Sequence, residues 1–416
     1  GNKMNKKSIW LISQYSYPPG KSSWRRHFDL FRHFNKNKYN IDIVSGSFLH
    51  NSENQHILKE DEKERIIEAE GIKYHILRVM SYSKRLDRII AMIQFFFKVI
   101  FFSKKLLKDS KPDIIIASSP HPFNGLAGMY LAKKYKCPFI IEIRDLWPET
   151  WVAMGATTRK SILYKFFAYI EKKLYKNADK IITLTANKDY YTSIGIDGKK
   201  VEIISNGVDL ESYDSNLKEY KSPLTFSKDN FNILYTGSHS QGDALDILIE
   251  TAELLSKEKI VFHLVGEGVI KEELKKRVKE NNINNVKFYD IVKKYEIPSL
   301  LKESDAVIML LRDIPLYKYG MSPNKMYEYL ASTKPIIFSG SVANDMVKEA
   351  NAGVSVEAEN PKKLKEGILS LQKMTIDERE VLGKKGRKYV EENYDTKVLS
   401  KKIEKIILNL LEDKNV

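Results

Sequence analysis

The densest run of chemically capable residues is Gly320-Met321-Ser322-Pro323-Asn324-Lys325-Met326-Tyr327-Glu328-Tyr329-Leu330. Ser322 suits a helix N-cap and Pro323 the first helical position. The run therefore predicts a helix that starts abruptly, with free backbone N–H groups. Lys325 falls in its first turn, where a cation opposes the helix dipole, so its presence points to an anionic partner. Glu328 lies three residues on, on the same face. Its carboxylate can accept hydrogen bonds from the two hydroxyls of a ribose. The competing reading is a surface Lys325–Glu328 pair, worth roughly a few tenths of a kcal/mol.

Two turns of small residues follow predicted strands in the same half of the chain. Strand 231–236 runs into Gly237-Ser238-His239-Ser240-Gln241-Gly242, before a helix over 244–255. Strand 261–265 runs into Gly266-Glu267-Gly268, before a helix beginning near residue 269. Small residues there let backbone N–H groups approach a phosphate that the following helix dipole favours. A plain turn is the alternative for either one alone. In the first half, strand 9–13 leads to Tyr17-Pro18-Pro19-Gly20-Lys21-Ser22-Ser23 and then to a helix with Trp24, Arg25, Arg26 and His27. Strand 114–118 leads to Ser119-Pro120-His121-Pro122, and strand 139–143 to Arg144-Asp145-Leu146-Trp147-Pro148-Glu149. Each loop places acid, base or aromatic groups at a strand end. A structural role for His121 and an internal Arg144–Asp145 ion pair are the rival readings.

These loops need elements that bring them together. Strand candidates are 9–13, 41–44, 114–118, 139–143, 180–185 and 201–204, then 231–236, 261–265, 286–289, 306–310, 335–338 and 353–356. Most are continuous apolar runs, as expected of strands covered on both faces. Their alternation with helical patterns predicts parallel sheets of βαβ units, repeated twice. The predicted domains are 1–206 together with a returning C-terminal helix over 395–416, and 207–394. Residues 212–229 read as a polar, irregular connection. In the C-terminal helix Leu399, Ile403, Ile406, Ile407 and Leu410 recur at helical spacing, so it should pack on the first domain. Two such facing domains leave a cleft at the carboxyl ends of their strands, where ligands bind.

The totals bound the partners. A chain of 416 residues, 43% hydrophobic and 30% charged, has ordinary globular composition. Cys137 is the single cysteine, which excludes an internal disulfide framework and a cysteine-rich zinc site and fits a reducing compartment. The net charge of +15 admits anionic lipid or phosphorylated substrates. Its lysines are spread along the chain with no basic-aromatic platform, so nucleic acid is not an expected partner. Met4 reads as a native start after a tag remnant. Residues 85–108 hold an apolar core, 89–102, interrupted by Gln94 and Lys98 and flanked by Lys84, Arg85, Arg88, Lys104, Lys105 and Lys108. That core is too short for a ~30 Å hydrocarbon layer. It fits either a helix covering the first sheet or one lying in the interface of an anionic membrane.

The loops, in this order, resemble the retaining glycosyltransferases of family 4, which have the two-Rossmann GT-B fold. The resemblance covers nearly the whole chain. It rests on Tyr17-Pro18-Pro19-Gly20, Arg144-Asp145-Leu146-Trp147-Pro148-Glu149, Ile204-Ser205-Asn206-Gly207-Val208-Asp209, Val265-Gly266-Glu267-Gly268, and Ser322-Pro323-Asn324-Lys325 with Glu328-Tyr329-Leu330-Ala331. The Asp-Leu-Trp-Pro-Glu segment is similar to bacterial N-acetyl-L-fucosamine transferases of O-antigen and capsule assembly.

The resemblance implies a donor sugar on a nucleoside diphosphate, usually UDP, and retention at the anomeric carbon. Glu328 matches the glutamate that holds the donor ribose. The family's first motif glutamate falls at Gly320, and its Arg/Lys pair after the Gly237 turn is replaced by Ser238, His239 and Asp243. Lys325 with the helix start at Ser322, Pro323 and Asn324 then neutralises the diphosphate, with Arg312 in reserve. Gly237, Ser238, Gly266, Glu267 and Gly268 line the donor pocket, and Ile291 meets the base through its backbone. Lys325, Asp145 and His121 are the catalytic candidates. Gly20, Arg25, Arg26, His27 and Trp147 face the acceptor. Fixed donors aimed at the departing diphosphate stabilise the transition state, each contributing about 10²–10³ in rate. There is no D-x-D magnesium clamp, and no cofactor or metal is expected beyond the nucleotide sugar. The acceptor is expected to be a saccharide on a polyprenyl diphosphate, at the inner face of the bacterial cytoplasmic membrane. Two rivals share these features. A UDP-sugar epimerase of the same fold would form product from donor alone. A silent nucleotide-sugar or membrane-binding subunit would bind donor without turnover.

Overall fold

A computed structural model describes residues 5–21, 25–49, 55–146 and 158–413. The chain divides into two compact units, Gly1–Ser205 with Leu399–Val416, and Asn206–Val398.

The first unit holds an eight-stranded sheet of β1 (Lys7–Ile12), β2 (Tyr39–Gly46), β3 (Glu64–Ala69), β4 (Ile72–Leu77), β5 (Ile114–Ser118), β6 (Phe139–Ile143), β7 (Lys180–Thr183) and β8 (Val201–Ile203). The order is β3-β4-β2-β1-β5-β6-β7-β8. Strands β1, β5 and β6 are almost wholly buried, as continuous apolar runs require. All pairings are parallel except β3 with β4, which pair antiparallel. That hairpin was not expected. Its first strand lies at the sheet edge and alternates half-buried with exposed residues, and its turn uses Glu70 and Gly71, both at positive φ. Two positive φ values match the twist of a two-residue hairpin turn. The C-terminal helix Thr396–Asp413 places Leu399, Ile403, Ile406 and Ile407 in one core with Ile9, Leu11 and Ile41 of this unit.

The second unit holds β9 (Phe231–Thr236), β10 (Ile260–Val265), β11 (Val286–Tyr289), β12 (Ala306–Leu310), β13 (Ile336–Ser339) and β14 (Gly353–Val356). The order is β11-β10-β9-β12-β13-β14, and every pairing is parallel. This is the doubly wound order, with its reversal between β9 and β12. The crevice at such a reversal is where these sheets bind ligands. The irregular connection expected over residues 212–229 is corrected in part: the helix Leu210–Glu219 runs through its first residues. Asp209 caps it, accepting from the Ser212 amide at 3.1 Å, and Tyr213 anchors it in the core. A cap and two buried anchors, Leu210 and Tyr213, hold a short helix that is otherwise mostly polar, so periodicity alone did not reveal it.

Candidate functional site

In the second unit the turns after β9 and β10 interlock backbone on backbone. Gly237 and Gly266 have φ of +136° and +147°, a region that favours glycine. The Gly237 amide donates to the Val265 carbonyl at 3.0 Å, and a Cβ at Gly266 would overlap the Gly237 carbonyl oxygen. Lys271, which the sequence reading passed over, locks the second turn from below. Its buried ammonium donates to the carbonyls of Gly266 at 2.8 Å and Tyr289 at 2.9 Å, and to Glu267 Oε1 at 2.8 Å. The Glu267–Lys271 spacing of one helical turn was the available signal.

The helix Asn324–Ala331 starts beside these turns. The expected Ser322 N-cap is corrected. Pro323 is the capping position, its backbone is extended, and no side chain caps the helix. Ser322 instead fixes the approach: its Oγ accepts from the Asn206 amide at 2.7 Å and pairs with Tyr327 Oη at 2.7 Å. Lys325 sits in the first turn. Its ammonium donates to Tyr235 Oη at 2.8 Å and lies 4.0 Å from that ring's centroid. A Cβ on Gly237 would stand 2.5 Å from Lys325 Nζ, so only a glycine leaves the ammonium its place. Burial lowers the Lys325 pKa to about 8, while Asp243 and Glu328 oppose that shift. Glu328, half-buried on the same helix, is raised by burial against the pull of Lys294 and Lys325.

The rest of the predicted donor set divides. The Ser238 hydroxyl donates to Asp243 Oδ2 at 2.6 Å, which places a carboxylate beside the Lys325 ammonium. His239 is buried, its Nδ1 3.2 Å from the Gly237 carbonyl, and burial lowers its pKa, leaving a neutral ring at pH 7. Ile291 is 71% exposed just past β11. Arg312 leaves the diphosphate set. Its guanidinium is paired with Asp246 and with Glu359 at 3.3 Å, and it donates to the Gln241 carbonyl at 2.9 Å. Two acids and a carbonyl already occupy the donors that a phosphate would need.

In the first unit the ends of β1, β5 and β6 meet around a buried carboxylate that the sequence reading did not single out. Glu142, the fourth residue of β6, accepts from Arg26 Nη2 at 3.2 Å and from Ser118 Oγ at 2.8 Å, and pairs with His27 Nε2 at 2.7 Å. Burial alone would raise its carboxyl, but Arg26 and His27 hold it well below the usual carboxylate range. Arg26 also donates to the carbonyls of Ile204 and Ser205 at 2.7 and 2.6 Å, and His27 meets Ser16 Oγ at 2.5 Å. Arg26 and His27 are therefore corrected from acceptor contacts to core ties, being 7% and 2% exposed. The signal available was a lone Glu inside an apolar strand, since a buried charge needs partners.

His121, 2% exposed, has Nε2 2.7 Å from Gln14 Oε1. Burial and Arg88 lower its pKa to about 3, so it acts as a neutral hydrogen-bonding group rather than a proton store. Asp145 is exposed. Its neighbour Arg144 is lowered to about 10 by burial, against Asp145 and Glu142. Arg25 is half-buried, 3.2 Å from Asp29, and Gly20 is exposed. Trp147 lies outside the described residues.

A family model described as Glycosyltransferase Family 4 matches residues 23–212, and one described as Glycosyl transferases group 1 matches residues 230–373. An uncharacterized glycosyltransferase of Methanocaldococcus jannaschii is 23% identical over 305 residues, which cover 72% of this chain and 76% of the relative. A poly(ribitol-phosphate) alpha-N-acetylglucosaminyltransferase of Staphylococcus aureus is 25% identical over 313 residues, covering 73% of this chain but 57% of the relative. Among solved structures, the Anabaena protein HepE in complex with UDP-glucose has a TM-score of 0.64 at 15% identity, over 97% of this chain and 99% of that one.

Proposed function

We propose, for a chain that belongs to the GT-B glycosyltransferases, a retaining transfer of an N-acetylated amino sugar from UDP to a lipid-linked saccharide in surface-polysaccharide assembly. The observation that carries this reading is the pairing of Lys325 and Glu328 on one uncapped helix start, beside the glycine turns at Gly237 and Gly266. Uncapped N–H groups and an ammonium suit a diphosphate, and a carboxylate one turn on suits a ribose. As the glycosidic bond breaks, negative charge grows on the diphosphate. Lys325, held by Tyr235, is preorganised to meet it. Asn324, Pro323 and Ser322 shape the helix start, Ser238 and the turn of Gly266, Glu267 and Gly268 close the pocket, and the backbone at Ile291 meets the base.

The UDP donor is supported by the UDP-glucose complex of the HepE relative, and the amino sugar by the name of the Staphylococcus relative. N-acetyl-L-fucosamine is the donor sugar suggested by Asp145-Leu146-Trp147-Pro148-Glu149. Asp145 and Arg25 are read on the acceptor or transferred-sugar side, with buried His121 behind them as a fixed hydrogen-bonding group rather than a contact. No helix among the described residues is long and apolar enough to cross a membrane. A lipid-linked acceptor would then be met at the cytoplasmic face of the membrane by a peripheral enzyme, with the helix Arg85–Asp109 at the surface. Incubation with a panel of UDP-N-acetylhexosamines and a polyprenyl-diphosphate saccharide tests the reading. Product with the donor's anomeric configuration supports it. Sugar interconversion without acceptor overturns it in favour of an epimerase.

A further inference from the structure

Three helices of the first unit present an outer face that its own core does not cover. They are Arg85–Asp109, Pro122–Tyr135 and Ile162–Asn177, linking β4 to β5, β5 to β6 and β6 to β7. In the strand order each link steps the same way across the sheet. Parallel crossovers are right-handed, so all three helices lie on one face and run the same way, with N-termini at the carboxyl ends of the strands. The middle helix packs against both of the others.

On Arg85–Asp109 the exposed positions Leu86, Ile90, Ile93, Phe97 and Phe101 recur at helical spacing, opposite a buried stripe of Met92, Phe95, Val99 and Leu106. The helix is thus apolar on both sides, and one side is left exposed by the described residues. Ile162–Asn177 repeats the device: Ile162, Phe166 and Tyr169 are 87%, 54% and 66% exposed, opposite buried Phe167, Ile170 and Leu174. In both helices most of the exposed apolar residues precede a group of exposed lysines, Lys104 and Lys108 in one, Lys172, Lys173 and Lys176 in the other, while Lys165 is a further exposed lysine among the apolar residues of the second. Because the helices run together, the apolar residues form one band and the lysines a second. The exposed charge is mostly positive. Among the described residues of the three helices Asp109 is the exposed acid, Asp87 is half-buried, and Glu171 is buried under Tyr190 Oη at 2.6 Å.

We infer that this face docks on an anionic lipid bilayer through two helices, with Ile162–Asn177 as a second contact equal in kind to Arg85–Asp109. An aromatic and aliphatic band with lysines beside it is the pattern that enters a headgroup layer and meets lipid phosphates. A protein partner would have to be acidic over the whole lysine band while apolar over the other. The inference deepens the membrane reading proposed above and rests on it for the choice of occupant.

Flotation of the full chain with vesicles of phosphatidylcholine, alone or mixed with phosphatidylglycerol, tests it. The protein should float with the mixed vesicles and be released by salt near 0.5 M, where screening shortens to about 4–5 Å. Phe166→Asp with Tyr169→Asp should weaken flotation about tenfold or more, as should Leu86→Asp with Phe97→Asp, and Lys172→Glu with Lys173→Glu should do so more mildly. All six positions are exposed, so melting temperature and the UDP-induced shift should stay unchanged, which separates this test from the donor reading. Full flotation in the Phe166 and Tyr169 variant overturns the two-helix account. So does a lack of flotation by the parent protein when light scattering shows a dimer that the same variant splits, since the face is then a self-interface.

Discussion

The Lys325 ammonium is held 2.8 Å from the Tyr235 hydroxyl, above the ring of the same tyrosine and over the bare backbone of Gly237. A cation in that setting is oriented before any anion arrives. Its folded pKa of about 8 lies below the ordinary 10.5. The cost of burying its charge is therefore present below pH 8 and is relieved between about pH 8 and 10.5. Anion binding runs the other way, since only the protonated amine attracts a diphosphate. The melting-temperature rise caused by UDP should be greatest below pH 8 and shrink as pH climbs through 8 to 9. In Lys325→Met the rise should be small and its pH dependence flat. A parent shift that holds constant to pH 9.5 contradicts the role of Lys325.

Glu328 should matter for ligand and not for fold. Burial raises its carboxyl against the pull of Lys294 and Lys325, so its charge at neutral pH carries a cost in the folded state. Removing that charge should leave the melting temperature of Glu328→Gln equal to or above the parent's at pH 7. Charged hydrogen bonds contribute about 1.5–3 kcal/mol, so UDP affinity should fall roughly 10- to 150-fold. Calorimetric titration of UDP into parent and variant reads this directly. Unchanged affinity removes Glu328 from the ribose.

Gly266→Ala tests whether the donor floor depends on backbone contact. The added Cβ would overlap the Gly237 carbonyl, and φ at that position favours glycine. Strain of this kind costs about 1–3 kcal/mol before any steric overlap is counted. The variant should melt several degrees lower and lose UDP binding. Glu267→Ala removes one half-exposed carboxylate from Lys271 but leaves it the Gly266 and Tyr289 carbonyls and Asp290 at 3.9 Å, so it should melt closer to the parent than Gly266→Ala does.

The Glu142 network should govern acid stability. Its carboxyl is held below the unfolded value, so its contribution is present above about pH 4.5 and is lost as pH falls below that. Glu142→Gln leaves Arg26 buried without its counter-charge, and breaking such a pair costs about 3–5 kcal/mol. Denaturant unfolding at pH 7 should show that loss, and the variant's stability should vary less with pH between 3 and 6 than the parent's.

The two parallel sheets were legible because strands covered on both faces are continuous apolar runs, and β5, β6, β9 and β12 read that way. The edge hairpin of β3 and β4 was not, since an edge strand with one wet face gives up the apolar run that marks its neighbours. The helix Asn324–Ala331 and the placement of Lys325 and Glu328 on it followed from residue spacing. Its cap did not, because Ser322 faces two partners, Asn206 and Tyr327, one of them more than a hundred residues away in sequence. The same limit hid Glu142. In sequence Arg26 and His27 read as acceptor-facing groups at the start of a helix, and only the tertiary fold reveals the carboxylate that engages them.

The central claim is a UDP-sugar pocket built on Lys325 and Glu328. Its most direct test is the melting temperature of the parent and of Glu328→Ala with UDP, GDP, ADP, CMP, NAD and no ligand. At about 100 times its Kd a ligand adds roughly 2.7 kcal/mol of apparent stability. The account predicts a clear rise with UDP alone in the parent and a much smaller one in Glu328→Ala, with equal melting of both proteins when no ligand is present. No rise with UDP, or the same rise in both proteins, contradicts it.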